Sequence, residues 1–253
     1  MSLSGKHALV TGAGRGIGQA VAWQLAAAGV RTTLVARTET QLAETVARIH
    51  GSGGAARALT ADLAEPADVP ALLDKIVAEG PIDLLINNAA TVAPLSPSAR
   101  VDPEAWAHAF ALNVVSPATL TFAVLPGMLS AGWGRIVNVS SGVVANPASL
   151  IGGNAYVATK AALEAHTLNL AAELSGTGVT VNVYRPGTVD TAMQAGIRSE
   201  GGGRLDAATH ERFLTTHAEG RLITPEESAR ALVDQLGGDA SGQIWNAPSR
   251  ARS

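Results

Sequence analysis

Apolar and polar positions follow two rhythms along this chain, and the two take turns from one end to the other. Short, nearly continuous apolar runs suit strands buried on both faces, and each is followed by a longer segment whose apolar positions recur every three or four residues, as in a helix with one covered face. The first run, His7 to Val10, breaks into a glycine-rich turn; Ile17, Ala20, Val21, Leu25 and Ala28 then recur at helical spacing until Gly29. A second strand is expected at Thr32 to Ala36, followed by a helix opening at Thr38, with Gln41 at capping-box spacing. A short strand should end at Asp62-Leu63, a helix should run from near Pro66 to Glu79 with Pro70 interrupting it, and a strand should occupy Asp83 to Ile86.

Asp102-Pro103 has the order of an N-cap and first-turn proline, and opens a long helix that contains Asn113 and that Pro117 should bend. Arg135 to Val139 reads as a fifth strand, Ala155 to Leu174 as a long helix and Thr180 to Tyr184 as a sixth strand. From Ala192 to Gly220 the pattern weakens, and three glycines at 201 to 203 predict a mobile lid at about 190–220. Thr224-Pro225-Glu226-Glu227 is a second capping box, and Gln243 to Asn246 is long enough for a last strand. Strands alternating with helices predict an α/β chain with a doubly wound parallel sheet of about seven strands and helices on both faces. With no repeat or linker in view, residues 1–253 are expected to form one domain.

Composition narrows this further. A charged fraction of 15% beside 47% hydrophobic residues indicates extensive burial. A net charge of −3 gives no basic excess, so neither nucleic acid nor an anionic membrane surface is expected as a partner. The chain has no cysteine, which removes disulfides and thiolate chemistry and fits a reducing, cytoplasmic setting. No signal-like run precedes the first charges, and no membrane span is expected. The six histidines lack metal-ligand spacing, so no metal site is expected.

The chemistry concentrates after the strand ends. Thr11-Gly12-Ala13-Gly14-Arg15-Gly16-Ile17-Gly18 joins a strand to a helix, the place where backbone N–H groups and a helix N-terminus hold a phosphate. Its glycines fit T-G-x-x-x-G-x-G, with Ile17 where G-x-G-x-x-G has its third glycine. After the second strand, where a carboxylate would select NAD, stands Ala36-Arg37; Arg37 and Arg15 together favour the 2′-phosphate of NADP(H), with NAD(H) the lesser alternative, unless both arginines are simply solvated. Asp62 either accepts from an adenine amino group or caps a turn. Asn87-Asn88-Ala89-Ala90 offers amides that can tie strand ends together and small residues against which a flat ligand can lie. Tyr156 and Lys160, four apart on one helical face, allow an ammonium to act on a phenol whose ordinary pKa of about 10 makes it inert near neutrality.

Taken together, T-G-A-G-R-G-I-G at 11 to 18, Asp62-Leu63, N-N-A-A at 87 to 90, Asn113, V-N-V-S-S at 137 to 141, Y-V-A-T-K at 156 to 160 and R-P-G-T-V-D-T at 185 to 191 resemble the short-chain dehydrogenase/reductase family over nearly the whole chain. The resemblance implies a Rossmann-type fold and an oxidoreductase similar to NADP(H)-preferring carbonyl reductases and 3-oxoacyl-carrier-protein reductases. It implies that Tyr156 exchanges a proton with a carbonyl or secondary alcohol and that Lys160 lowers the phenol's pKa and binds the nicotinamide ribose. Ser141, or its neighbour Ser140, would hold the substrate oxygen, and Asn113 would order a water leading from Lys160 to solvent.

Cofactor contacts implied in the same way are Gly12, Arg15, Gly16, Ile17, Gly18, Arg37, Asp62, Leu63, Asn88, Ala89, Tyr156, Lys160, Pro186, Gly187, Val189 and Thr191. The substrate pocket would use Val143 to Gly153 and the lid around Met193 and Ile197, and the protein would be a homotetramer or homodimer paired through the helices of Asn113 and Tyr156. Three features depart from the family. Fourteen residues separate Ser141 from Tyr156, two more than usual; Ala90 replaces a glycine; and the tail S-G-Q-I-W-N-A lacks the usual glycine pair. Competing readings are a dinucleotide sensor that keeps the fold without redox chemistry, and an NAD-linked alcohol dehydrogenase.

Overall fold

The structure is a computed structural model that describes residues 2–65 and 67–248. Seven parallel strands form one sheet in the order β3-β2-β1-β4-β5-β6-β7: β1 His7–Thr11, β2 Arg31–Ala36, β3 Ala56–Thr60, β4 Leu84–Asn87, β5 Gly134–Val139, β6 Val179–Arg185 and β7 Ile244–Asn246. The chain winds outward from β1 to β3, then returns to place β4 on the other side of β1. That reversal leaves a crevice above the carboxyl ends of β1 and β4, where sheets of this class bind ligands.

Strand periodicity divides the core into two layers. Ala8 and Val10 of β1 face α1 (Gly16–Ala27) and α9 (Pro225–Val233), packing with Val21, Leu25, Ala229 and Leu232, whereas Leu9 faces the opposite layer. There Leu85 and Ile136 meet Leu72 and Ile76 of α3 (Asp68–Ala78), Leu120, Val124 and Met128 of α5 (Ser116–Ala131), and Leu170 of α6 (Asn154–Glu173). The doubly wound sheet expected from the pattern, and the Rossmann-type fold that the resemblance implies, are the ones observed. Between the layers' helices, α2 spans Glu39–Gly51, α4 Pro103–Phe110, α7 Ala192–Glu200 and α8 Ala207–Ala218.

Several local expectations are met and several are corrected. Asp102 caps α4, accepting from the backbone N–H groups of Glu104 and Ala105, and Thr224 with Glu227 forms the full reciprocal box that starts α9. Thr38 does stand at the N-cap of α2, but its side chain makes no capping bond. Gln41 instead lies against Gly14 of the glycine turn. β3 stops at Thr60, so Asp62 and Leu63 sit in the turn after it; α3 begins at Asp68, and Pro66 lies outside the described residues.

At Pro117 the helix changes its winding. The turn before it, Ala111–Val115, widens to a π-helix between α4 and α5, and Pro117 falls in the first turn of α5. A proline cannot donate to the carbonyl four residues back, which here is Asn113, so the chain takes the wider winding where that bond is missing. The composite helix Pro103–Ala131 is also, among the described residues, the one helix long and apolar enough to cross a membrane by length and composition, with a mean hydropathy of 1.5 over an 18-residue stretch. It is not a continuous apolar run, since Asn113, Ser116, Thr119 and Thr121 interrupt it. Its inner face, with Leu112, Leu120, Val124 and Met128, is buried in the core, while Val115, Phe122 and Leu129 remain exposed.

The segment expected as a mobile lid folds as the helices α7 and α8. It is clasped to the loop ahead of α6: Asp206 N–H donates to Ile151 O at 3.2 Å and Arg212 to Ser149 O, while Ile197 and Leu205 pack on Leu150.

Candidate active site

A cavity of about 840 Å³ opens over the carboxyl ends of β1, β4, β5 and β6. Of the residues singled out from the sequence, Gly12, Arg15, Gly16, Ile17, Arg37, Asp62, Leu63, Asn88, Ala89, Ser141, Tyr156, Pro186, Gly187, Val189 and Thr191 line it; Gly18, Asn113 and Lys160 lie behind the wall. Met193 and Ile197 of α7, with Val143, Ser149, Leu150 and Phe213, close the other end.

The glycine turn is built for close approach. Gly12 and Gly16 have φ of 64° and 59°, a left-handed conformation that costs other residues energy, and a Cβ on Gly18 would stand 2.4 Å from the Gly12 carbonyl oxygen. Arg15, the N-cap of α1, makes no side-chain cap, and the first turn carries no acidic residue. The N–H groups of that turn are therefore open to an anion at the cavity floor. Arg37 lies 3.6 Å from Asp62 with 63% of its side chain exposed, so the pair holds it loosely. Asp62 also accepts from Ala64 N–H at 3.0 Å, so it serves as the turn cap that was one of its two expected roles. These residues fit a dinucleotide: donors and cations for phosphates at one end, small side chains beside Asn88 and Ala89 for a flat ring.

The asparagines after β4 join strand ends as expected. Asn87 Nδ2 donates to Asn138 Oδ1 at 2.8 Å, Asn138 Nδ2 donates to Thr167 Oγ1 at 2.9 Å, and Asn88 Nδ2 donates to Thr11 O at 3.0 Å. Asn113, wholly buried in the π-turn, pairs with the backbone of Thr91 in both directions, accepting from its N–H at 2.9 Å and donating to its carbonyl at 2.8 Å. Its amide also donates to Thr159 Oγ1 on α6 at 3.0 Å.

Tyr156 and Lys160 share one face of α6, with the ammonium 5.7 Å from the centre of the phenol ring. Lys160 is 2% exposed, and its Nζ donates to Val139 O at 2.7 Å, at the end of β5. Burial lowers its pKa to about 8, against the opposing pull of Glu164. Burial raises the pKa of Tyr156, and the Ser141 hydroxyl offsets part of that rise. The fourteen residues between Ser141 and Tyr156 include two short 3-10 turns, Gly142–Val144 and Pro147–Leu150. Ser140 and Ser141 are distinguished by their surroundings. Ser140 is 1% exposed and donates to Glu164 Oε1 at 2.7 Å, whereas the hydroxyl of Ser141 faces Tyr156 and accepts a long 3.4 Å contact from Val143 N–H.

Sequence reasoning missed Ser140, Glu164 and Arg185 as a group. Arg185 ends β6 and forks onto both oxygens of Glu164. The available signal was a glutamate one turn beyond Lys160 on a helix face that also carries Leu163, Thr167 and Leu170, all buried.

The short chain dehydrogenase family model matches residues 6–202. The putative ketoacyl reductase 1 of the granaticin polyketide synthase of Streptomyces violaceoruber is 35% identical over 243 residues, 94% of this chain and 88% of that one. A short chain dehydrogenase of Pseudocercospora fijiensis, 38% identical over 196 residues, is longer: the match spans 76% of this chain and 62% of its own length. Among solved structures, a single-substitution variant of actinorhodin polyketide ketoreductase with NADPH superposes with a TM-score of 0.85 at 32% identity, covering 97% of this chain and 96% of that one.

The buried ammonium has a measurable consequence. With a pKa of about 8 folded and 10.5 unfolded, Lys160 binds its proton more readily in the unfolded chain between those values, so its burden on the fold lightens as pH rises through that window. Lys160→Met removes the burden, and the loss of the Val139 bond adds a constant offset. Thermal unfolding should show the variant's stability relative to the parent falling steadily as pH rises from about 8 to 10.5; a difference independent of pH would mean that burial leaves the lysine's pKa where it stands in the unfolded chain.

Proposed function

This chain belongs to the short-chain dehydrogenase family, and from that premise we propose that it is an NADPH-dependent ketone reductase, running in reverse as a secondary alcohol dehydrogenase. The reading rests on one observation. A phenol in the cavity wall has an ammonium behind it, a hydroxyl beside it and a glycine-rich turn suited to a phosphate across the same crevice. When bound, NADPH supplies the hydride to the carbonyl carbon, and NADP⁺ takes it back in the reverse reaction.

Tyr156 and Ser141 donate hydrogen bonds to the carbonyl oxygen, and Tyr156 gives up its proton as negative charge develops there. Lys160 lies one turn along the helix and steadies the phenolate that remains, and with the cofactor bound its ammonium would also serve as a donor to the nicotinamide ribose. Ser141 takes the substrate role because Ser140 is spent on Glu164. Asn113 holds the water path that returns a proton to Lys160; Pro117 cannot occupy its carbonyl. Intact Tyr156, Lys160 and Ser141 speak against a non-catalytic dinucleotide sensor. The likeness to ketoacyl reductases favours ketones of the 3-oxoacyl kind.

The same reading places the protein in the cytoplasm as one domain, with α7 and α8 as the lid over Tyr156. It also makes the protein a homodimer or homotetramer, in which the exposed Val115 of the π-turn, Phe122 and Leu129 of α5 and Leu168 of α6 cover one another.

Tyr156→Phe should lose NADPH-dependent reduction across a ketone panel by about 10²-fold or more while NADPH binding stays within a few-fold; undiminished turnover would remove the phenol from the mechanism. Arg37→Asp should weaken NADPH relative to NADH by roughly tenfold to a hundredfold, from a charged hydrogen bond of about 1.5–3 kcal/mol. Nicotinamide fluorescence reads this, and an unchanged ratio would return Arg37 to the solvent. Amide exchange across residues 190–220 should slow in the same titration. Phe122→Asp should shift the mass in light scattering toward the monomer, whereas an unmoved mass places the interface elsewhere.

A further inference from the structure

The most deeply buried charges beside the reacting groups have no part in the roles above. Glu164 and Arg185 have side chains only 6% and 15% exposed. Both carboxylate oxygens are engaged: Oε1 accepts from Ser140 Oγ at 2.7 Å and Arg185 Nε at 2.8 Å, and Oε2 accepts from Arg185 Nη2 at 2.7 Å. Ser140 precedes Ser141, Glu164 follows Lys160 by one helical turn, and Arg185 precedes Pro186-Gly187. One carboxylate thus fastens three separate segments that carry the site.

A buried ion pair contributes little net stability, because desolvation cancels most of the attraction. Its effect here falls on position and on charge. Resting on the roles just given to Tyr156 and Lys160, we propose that Glu164 and Arg185 are positioning residues: a charge-balanced clamp that fixes Ser141, Tyr156 and Pro186 relative to one another and presents Lys160 with a nearly neutral neighbour.

The titratable and charged groups packed about Lys160 are Tyr156 and Glu164 on α6 and, through Glu164, Arg185 on β6. β5 presents the Val139 carbonyl and Ser140, and the π-turn presents Asn113, none of which titrates. The balance gives opposite signs for the two halves of the pair. Glu164→Gln keeps the shape, removes the negative charge and leaves the guanidinium, so the lysine should lose its proton at lower pH. Arg185→Gln leaves a buried carboxylate uncompensated, and the lysine should hold its proton to higher pH. The double variant should fall between them, near the parent.

The chain has three lysines, at 6, 75 and 160, so a ¹³Cε-lysine label gives a spectrum in which Lys160 can be followed without turnover. The two single variants should move its titration in opposite directions, each by about half a pH unit or more, and the pH limb of kcat should follow. Shifts in the same direction, or none, would overturn the clamp's electrostatic part. Ser140→Ala, which loosens the carboxylate without changing charge, should lower kcat several-fold while leaving the Lys160 titration in place; an unchanged kcat would overturn the positioning part. This variant also decides the matter if either charge variant fails to fold. Absence of ketone reduction in the parent chain would instead sink the functional reading, and the lysine titration would still judge the pair.

Discussion

A parallel sheet ends in backbone groups that no further strand can satisfy, and in this protein side-chain amides and hydroxyls take over at that edge. Thr11 Oγ1 accepts from the N–H groups of Asn88 and Ala89 at 2.9 and 3.0 Å, and Asn87, Asn138 and Thr167 continue the chain of bonds from β4 through β5 to α6. Because these bonds cross from strand to strand and then to the helix, the heights of Ser141, Tyr156 and the glycine turn are set against one another. The crevice is therefore a consequence of how the sheet ends.

Burial then supplies the chemistry. The layer that hides Lys160 from water makes its charge costly and makes Tyr156 reluctant to ionise. Each group is poorly placed by itself. Together, an ammonium whose charge burial disfavours sits beside a phenol whose ionisation burial disfavours, so each group's charge state depends on the other's. Glu164 opposes the loss of the lysine's charge, and the same carboxylate raises the pKa of Arg185 through its hydrogen bonds.

Much of this was readable before any coordinates, for physical reasons. Alternation of solid apolar runs with helical spacing identifies a parallel sheet because buried strands and one-faced helices have different periods; six strands fall within a residue of those expected, and β3 ends two to three residues before Asp62-Leu63. Tyr156, Lys160 and the glycine turn were legible because their spacing is local. What stayed hidden was non-local or depended on competition. Thr38 and Gln41 have capping-box spacing, yet Gln41 lies against Gly14. The segment 190–220 is polar on the face it shows to water, and its helices owe their order to Leu150 and to the clasp at Ser149 and Ile151, which lie some fifty residues earlier. Glu164 and Arg185 are twenty-one residues apart, and only the fold brings them together.

The π-turn at Asn113 has a mechanical side. By bonding both the N–H and the carbonyl of Thr91, its amide does for the loop after β4 what a neighbouring strand would do, so that stretch of cavity wall takes its shape from a helix. The opposite face of the same helix is the exposed apolar strip of Val115 and Phe122. A load applied to the outside of the molecule there reaches the wall of the crevice through little more than one turn of backbone, which makes the strip a handle on the chamber behind it.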